Sequence, residues 1–257
     1  MFLILDSKAS SASTNMATDE FLFNLCQKKK KGFLRIYSWE SPSFSYGVSQ
    51  KINKAIDIAY VEKNKCKFVR RITGGKTVLH NDEITYSVIS SEDVFFTKND
   101  LHKSYALIAK VLVNAFNQIG IGAYLSEGSK RKLSKTNMPC FSFPTPNEIE
   151  YDGKKLVGSA QKRNNKALLQ HGSIPLTMDY DLYANGAKSN KKLLKQNMIT
   201  LNDIKLIDKK ILINSLIVNF ENFVGVKFSE FDFSKENKSE IEKIEKKYKS
   251  KTWNYLI

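Results

Sequence analysis

The stretch of sequence most informative about the fold reads RRITGGKTVLH, from Arg70 to His80. Its paired glycines allow a tight backbone turn and let a ligand come close to the amide groups. Two of the five arginines in the chain, Arg70 and Arg71, stand directly before this turn. Strand-like residues follow at Val78-Leu79 and Tyr86-Ser87-Val88. Taken alone, the stretch fits a ligand-binding loop and a plain hairpin with two surface arginines equally well.

A second block lies downstream and reads GKKLVGSAQ from Gly153 to Gln161, then QHGSI from Gln170 to Ile174. Small residues again flank a basic side chain, Lys155, and a histidine, His171. A lysine held between a glycine turn and an apolar strand has its charge focused inside the fold. The block also fits a β-hairpin with a solvated lysine tip, which by itself is the simpler interpretation.

The three cysteines Cys26, Cys66 and Cys140 are odd in number and far apart, which excludes a disulfide scaffold. Cys26 falls on the apolar face of a predicted helix, and we interpret it and Cys66 as buried structural thiols. Cys140 differs because it stands in a proline-rich stretch, from Met138 to Pro146, fifteen residues before Lys155.

The composition indicates a globular protein with a strongly basic surface. The chain has 257 residues, 42% of them hydrophobic, and 41 Lys+Arg against 26 Asp+Glu give a net charge of +15. Only five of the basic residues are arginines, and many lysines sit beside asparagine. Nucleic-acid readers usually need arginine forks or aromatic platforms in a basic stripe. The charge therefore favours a generic lysine surface or the docking of an acidic protein over nucleic-acid binding.

Membrane and targeting signals are missing from the sequence. No apolar run approaches the ~18 residues that a spanning helix needs. The apolar start, Met1 to Leu5, is shorter than the ~7–15 residues of a signal-peptide core. We therefore expect a cytoplasmic protein with no membrane partner.

Several motifs fail on inspection. Gly75-Lys76-Thr77 ends like a phosphate-binding P-loop, but Arg70 occupies the position of its first glycine. The segment from Gly47 to Lys51 begins like a nucleophile elbow and lacks the final glycine. The sequence has no G-x-G-x-x-G and no pair of cysteines at zinc spacing. Nothing here predicts a nucleotide or metal cofactor.

Hydrophobic periodicity predicts a mixture of strands and isolated helices. Helices are predicted at 16–29, with Asn15 or Thr14 as the cap, and at 101–119, 211–223 and 239–247. Strands are predicted at 1–5, 33–39, 67–71, 77–80 and 84–90. Regular βαβ spacing is absent, so we predict an α+β fold with mixed or antiparallel sheets flanked by helices. A boundary near 190–200 would set off a helical C-terminal segment.

Together these segments resemble the biotin/lipoate A/B protein ligase superfamily, and within it the lipoyl/octanoyl transferase branch. The blocks that carry the resemblance occur in the family's order over about residues 1–190. They are Asn15-Met16-Ala17 with Asp19-Glu20, Arg35-Ile36-Tyr37 with Trp39, the 70–80 stretch, Cys140-Phe141, and the 153–174 block. Lys76 stands where ATP-dependent ligases usually carry a third glycine, which favours the transferase branch. The resemblance implies one catalytic domain of that family's fold over residues 1–257, with no room for a full ligase accessory domain.

The resemblance also implies a mechanism. Cys140 would attack the thioester of octanoyl-acyl carrier protein and form an acyl-enzyme, so neither ATP nor any other cofactor nor a metal is expected. Lys155 would sit beside Cys140, lower the pKa of its thiol and contact the acyl carbonyl. The acceptor would be a specific lysine of the lipoyl domains of 2-oxoacid dehydrogenases or of the glycine-cleavage H protein.

The same resemblance implies a set of substrate-binding residues. Those expected at the acyl tunnel and carbonyl site are Gly74, Gly75, His80, Gly158, Ser159 and Ala160, with His171 added to the set. Arg70 and Arg71 would shape the loop or meet the phosphate arm of the carrier. Three other functions stay open: an ATP-dependent lipoate–protein ligase without its accessory domain, an acyl amidotransferase between lipoyl carrier proteins, and, remotely, a basic nucleic-acid-binding module.

Overall fold

The computed structural model describes residues 1–6, 8–91, 101–127 and 147–255. The first half of the chain forms β1 (Phe2–Leu5), α1 (Ala12–Lys29), β2 (Phe33–Tyr37), β3 (Ser43–Tyr46), α2 (Ile52–Ala55), α3 (Ile58–Lys63), β4 (Lys67–Arg70), β5 (Val78–His80), β6 (Glu83–Ser91), α4 (Leu101–Gln118) and β7 (Tyr124–Leu125). The second half forms β8 (Ile149–Tyr151), β9 (Lys154–Lys155), β10 (Gly158–Arg163), β11 (Ala167–Pro175), α5 (Tyr180–Gly186), α6 (Lys191–Asn197), α7 (Leu201–Ile204), α8 (Lys209–Val224), β12 (Ser229–Glu230), α9 (Lys235–Lys249) and α10 (Lys251–Asn254).

The central sheet has six strands in the order β10-β11-β6-β2-β1-β12. Neighbours from β10 to β2 are antiparallel, whereas β2, β1 and β12 run parallel. Two small sheets, β4-β3-β5 and β7-β8-β9, flank this one. The mixed sheet flanked by helices confirms the predicted α+β class.

The central sheet carries an apolar cluster on each face because side chains alternate along its strands. Along β6, Tyr86 and Val88 belong to the cluster covered by α4 and α8, while Ile89 belongs to the cluster covered by α1 and α9. A third cluster packs β3 and β5 against α5 and α6. The C-terminal helices α8 and α9 thus bury apolar side chains against the same sheet as the N-terminal elements.

The first helix corrects the predicted cap. It begins at Ala12 rather than at Met16, and the Ser11 side chain caps it by accepting from the amide of Thr14 at 3.1 Å. Asn15 lies inside the helix, fully buried, and donates to the carbonyls of Ser10 and Ser38. The prediction of Asn15 or Thr14 as the cap was wrong because a serine one turn earlier takes that role.

Other boundaries differ by a few residues from the predictions. The strand predicted at 33–39 ends at Tyr37, and Trp39 instead forms an isolated bridge with Ser10. The helices predicted at 211–223 and 239–247 both begin earlier, at Lys209 and Lys235, where Asp208 and Ser234 cap them. Among the residues that the structure describes, no helix combines the length and apolarity needed to cross a membrane.

Candidate active site

A small pocket lies where β10 and β11 meet the loop between β4 and β5. Six of the residues predicted from the sequence line it: Arg71, His80, Gly158, Ser159, Ala160 and His171. Its free volume is about 20 Å³, room for about one water molecule. A larger open cleft of about 750 Å³ lies between β1, α1 and α9, and its described lining includes none of the predicted site residues.

Arg71 holds the glycine loop in place. Its side chain is buried, and Nη2 donates to the carbonyls of Gly74 and Lys76 at 2.7 and 2.8 Å. Gly75 has φ +84°, in the left-handed region that favours glycine, and a Cβ there would lie 2.9 Å from Nη2 of Arg71. Arg71, predicted to shape the loop or to meet a phosphate, thus fixes the backbone of the loop through these two bonds.

His171 is fixed on both sides of its ring. Its Nδ1 bonds Oδ2 of Asp19 at 2.9 Å, and its Nε2 bonds Oγ1 of Thr73 at 2.7 Å. Burial lowers the pKa of His171 below its usual value, and the contact with Asp19 offsets only part of this effect. The ring is therefore neutral at neutral pH, with Nδ1–H donating to the carboxylate and Nε2 accepting from the threonine hydroxyl.

His80 repeats this arrangement. Its Nδ1 bonds Oε1 of Glu83 and its Nε2 bonds Oγ of Ser45, each at 2.7 Å. Its ring stacks on Trp39 with centroids 3.9 Å apart and 12° between the planes. Glu83 also accepts from the hydroxyls of Thr85 and Ser173. The stacking on Trp39 and the bond to the buried carboxylate of Glu83 hold the His80 ring in one orientation.

Arg71 joins the two histidines. Its Nε donates to Oγ1 of Thr73 at 3.0 Å and its Nη1 to Oγ of Ser45 at 3.2 Å. We call the connected set the histidine network: Arg71, Thr73, Ser45, His171, His80, Asp19 and Glu83. Because both ring nitrogens of each histidine are engaged, the network holds the pocket wall in shape and presents no free imidazole base in this conformation.

The Asp19 end of the network is anchored by a buried arginine. Nη1 of Arg35 donates to Oδ1 of Asp19 at 2.9 Å, and Nη2 reaches Oδ2 of Asp6 at 2.5 Å. Burial alone would raise the pKa of Asp19, but the hydrogen bond from His171 and the charge of Arg35 outweigh it and lower that pKa. Asp19 is therefore ionised in a site where its side chain is only 1% exposed.

No role was predicted for Asp19 or Glu83, the two carboxylates of the network. Glu83 stands three residues after His80, a spacing that brings them together across the turn into β6. Asp19 was quoted only as part of the resemblance, and it meets His171 over a sequence separation of 152 residues. The three-residue spacing could have indicated the pair of His80 and Glu83, whereas no feature of the sequence indicated the pair of Asp19 and His171.

Lys155 lies in β9, in the small sheet that adjoins the central one. Its side chain is 2% exposed, and Nζ forms an ion pair with Oε1 of Glu148 at 2.8 Å. The hydroxyl of Tyr105 donates to the other carboxylate oxygen at 3.2 Å. Nearby, Tyr86 bonds Ser159 at 2.8 Å, and burial raises the pKa of Tyr86 to about 12, with a smaller contribution from Glu148. The predicted catalytic lysine is thus a fixed, buried ammonium.

Four predicted residues that the structure describes do not line the pocket: Arg70, Gly74, Gly75 and Lys155. Arg70 contacts two other parts of the chain. Its Nε donates to the carbonyl of Val48 at 2.9 Å, and its guanidinium stands 5.5 Å from the ring of Trp253 in α10. Cys140 falls within 128–146, outside the described residues.

The two thiols that the structure describes, Cys26 and Cys66, are both buried, as predicted. Burial raises the pKa of Cys26 to about 11 and also raises that of Cys66 above its ordinary value. Both thiols therefore stay protonated near neutral pH, where a thiolate nucleophile is needed.

Comparison with known proteins gives consistent matches over most of the chain. The family model described as the lipoyl protein ligase A/B catalytic domain matches residues 11–211. An octanoyltransferase LipM of Bacillus anthracis is 36% identical, the match covering 98% of this chain and 96% of the relative. Another octanoyltransferase LipM, from Clostridioides difficile, is 32% identical over 98% of this chain and 97% of the relative.

Solved structures match the fold. A lipoate-protein ligase A bound with ATP superimposes with a TM-score of 0.85 at 24% identity, covering 99% of both chains. A bi-partite lipoate protein ligase studied with its E2 lipoyl domain, from Thermoplasma acidophilum, gives 0.84 at 22% identity, covering 100% of this chain and 97% of the other. At these identities the likeness concerns the fold alone.

Proposed function

The chain belongs to the lipoyl protein ligase A/B catalytic-domain family, and we propose that it acts there as an octanoyltransferase of protein lipoylation. The observation that carries this proposal is the similarity to curated octanoyltransferases, 36% and 32% identical over nearly the full length of both chains. The ATP-bound ligase among the structural neighbours shares the fold at 24% identity. We therefore take the activity from the transferases and not from the ligase.

In this proposal the donor is octanoyl-acyl carrier protein and Cys140 is the nucleophile. The Cys140 thiolate attacks the thioester carbonyl, and the thiolate of the carrier arm leaves and takes up a proton to become a thiol. The neutral amine of an acceptor lysine then attacks the new thioester, forms an amide and releases the Cys140 thiolate as the amine loses a proton. The acceptors are lipoyl domains of 2-oxoacid dehydrogenases and the glycine-cleavage H protein.

Lys155 is proposed to make this chemistry possible at neutral pH. A free thiol has a pKa near 8.5 and is mostly protonated, and a neighbouring ammonium stabilises the thiolate. The pairing with Glu148 at 2.8 Å supports this role because it holds the ammonium in one place. The same ammonium would stabilise the charge that develops on the acyl carbonyl oxygen.

The histidine network is proposed to position the reacting end of the acyl group. The pocket it forms is about 20 Å³ in volume, too small for an eight-carbon chain in this conformation. A volume of this size admits a small group such as the acyl carbonyl and excludes the hydrocarbon tail. Gly74, Gly75 and Gly158 to Ala160 then supply close backbone approach, and His80 and His171 supply a fixed wall.

The test is transfer to an acceptor without ATP. Purified protein, octanoyl-acyl carrier protein and an apo lipoyl domain should give a lipoyl domain heavier by one octanoyl group, and Cys140→Ser should abolish this product. Cys66→Ser serves as the matched control, because that buried thiol has a raised pKa and no assigned role. Acyl attachment that needs free octanoate or lipoate together with ATP would instead identify a ligase.

A further inference from the structure

A basic cleft lies on the outer side of the glycine loop. It has a volume of about 390 Å³ and is lined by Ser49, Gln50, Lys51, Lys54, Gly75 and Lys76. Two segments that failed as sequence motifs, 47–51 and 75–77, come together here. Neither completes a catalytic motif alone, but the fold places them side by side next to the pocket.

The positive charges of Lys51 and Lys54 in the basic cleft have no acidic partner among the described residues. Lys51 and Lys54 are exposed, and within the described residues neither takes part in a salt bridge. Lys188 adds a third ammonium beside them, because its Nζ donates to the carbonyl of Asn53 at 2.8 Å. The six lining residues include no carboxylate. Such a surface attracts an anion.

The two loops that form the basic cleft are fastened to each other. The amide of Val48 donates to the carbonyl of Thr73 at 2.9 Å, and the side chains of Gln50 and Thr77 meet at 3.3 Å. A Cβ on Gly47 would lie 2.2 Å from the carbonyl oxygen of Gly75, so only glycine allows this approach. The lysines therefore stand on a preformed rim.

The basic cleft and the pocket share one wall. Gly75 lines the cleft, and its Cβ position lies 3.4 Å from the Cβ of Ala160, which lines the pocket. Arg71, also in the pocket wall, donates to the carbonyls on both sides of Gly75. A flexible ligand that crosses the glycine loop thus passes from the lysines to the histidine network.

We propose that the basic cleft binds the phosphate-bearing thioester arm of an acidic carrier protein, the donor of the reaction. This inference rests on the proposed function. The phosphodiester of such an arm is an anion joined by a flexible chain to the thioester, and lysines bind phosphate as point charges. The acceptor enters with a lysine side chain, whose charge a rim of lysines disfavours. The donor and not the acceptor therefore fits this entrance.

The experiment compares two double charge reversals of equal size. Lys51→Glu/Lys54→Glu changes the basic cleft, and Lys210→Glu/Lys243→Glu makes the same charge change at exposed positions on α8 and α9. Steady-state transfer to an apo lipoyl domain is measured against the concentration of octanoyl-acyl carrier protein and, separately, against that of the lipoyl domain. It is measured again with octanoyl-N-acetylcysteamine, an octanoyl thioester without a phosphate, as the donor.

The cleft variant should raise the KM for the carrier about tenfold, with kcat and the rate from the phosphate-free thioester kept within about twofold. The control variant should match the wild type, and added salt should raise the KM of the wild type more than that of the cleft variant.

Equal KM values for the carrier in both variants would overturn the docking inference alone. Two other results would also overturn the docking inference: a lower rate of the cleft variant with the phosphate-free thioester, or a change of the cleft variant only in its KM for the lipoyl domain. No acylation of the wild type by either thioester would overturn the proposed function and the inference with it.

Discussion

Replacing Asp19 by Asn removes the negative charge that pairs with Arg35 and accepts a hydrogen bond from His171 in the histidine network. The carboxylate accepts from His171 and Tyr37 at one oxygen and from Arg35 and Ser87 at the other, at 2.9 to 3.0 Å. An asparagine must turn its NH₂ toward one of these pairs. Arg35 only donates, so the NH₂ faces His171, whose ring must switch tautomer and place Nε2–H against Thr73.

The loss in the free energy of unfolding can be estimated from these contacts. Leaving a buried charge without its partner costs about 3–5 kcal/mol. Arg35 keeps Asp6 at 2.5 Å, so we expect the lower end, about 3 kcal/mol in the free energy of unfolding. The matched control is Ser87→Ala, which removes one neutral donor from the same carboxylate at 3.0 Å and should cost about 1 kcal/mol.

Urea unfolding at pH 7 measures both changes, and Asp19→Asn should lower the midpoint by about 1 M. The folded-state pKa of Asp19 is depressed, so its contribution is present above the unfolded pKa of about 3.9 and is lost as the pH falls through the folded value. The gap between wild type and variant should therefore close in acid. A loss no larger than that of Ser87→Ala would refute the view that an ionised carboxylate anchors the network.

Three further perturbations test other parts of the site. The depressed pKa of His171 means that the unfolded chain takes up a proton below about pH 6.5 before the folded one does, so stability falls there. His171→Gln should flatten that fall in urea melts between about pH 5 and 7; an unchanged pH dependence would contradict the buried neutral imidazole. Lys155→Ala should slow alkylation of Cys140 near neutral pH, and Lys154→Ala should leave it unchanged; identical pH profiles for wild type and Lys155→Ala would contradict the role in thiolate stabilisation. Gly75→Ala should cost about 1–2 kcal/mol and reduce acyl transfer, because φ is +84° and the new Cβ crowds Arg71. Gly153→Ala, at φ +68° with open space around it, should lose similar stability and keep transfer; equal loss of transfer in both would argue against a special role for the loop.

Local pattern predicted the parts of the fold that local physics determines. The periodicity of 101–119 matches α4, and the absence of βαβ spacing matches the mixed sheet. The two motif blocks at 70–80 and 153–174 also meet, since Arg71, His80, Ala160 and His171 line one pocket. Glycines and small residues mark such places because only they allow close backbone approach.

Long-range pairings could not be predicted from one sequence. Asp19 is one acidic residue among 26, and nothing in its surroundings points to His171. The C-terminal segment, which lies beyond the stretch of about 1–190 that carries the resemblance, shows the same limit. The side chain of Asn254 accepts from the amide of Arg70 at 2.8 Å, and the indole of Trp253 donates to the Arg70 carbonyl at 2.7 Å. These contacts brace the strand that leads into the glycine loop, and only the folded chain brings them together.

The central claim is a thioester acyl-enzyme on Cys140, and intact mass spectrometry with peptide mapping tests it most directly. The protein is mixed with octanoyl-acyl carrier protein in the absence of ATP and quenched in acid. We predict a mass increase of one octanoyl group, located on Cys140 and absent from Cys140→Ser. An adduct on Cys26 or Cys66, an adduct that persists in Cys140→Ser, or acylation that requires ATP would contradict the mechanism.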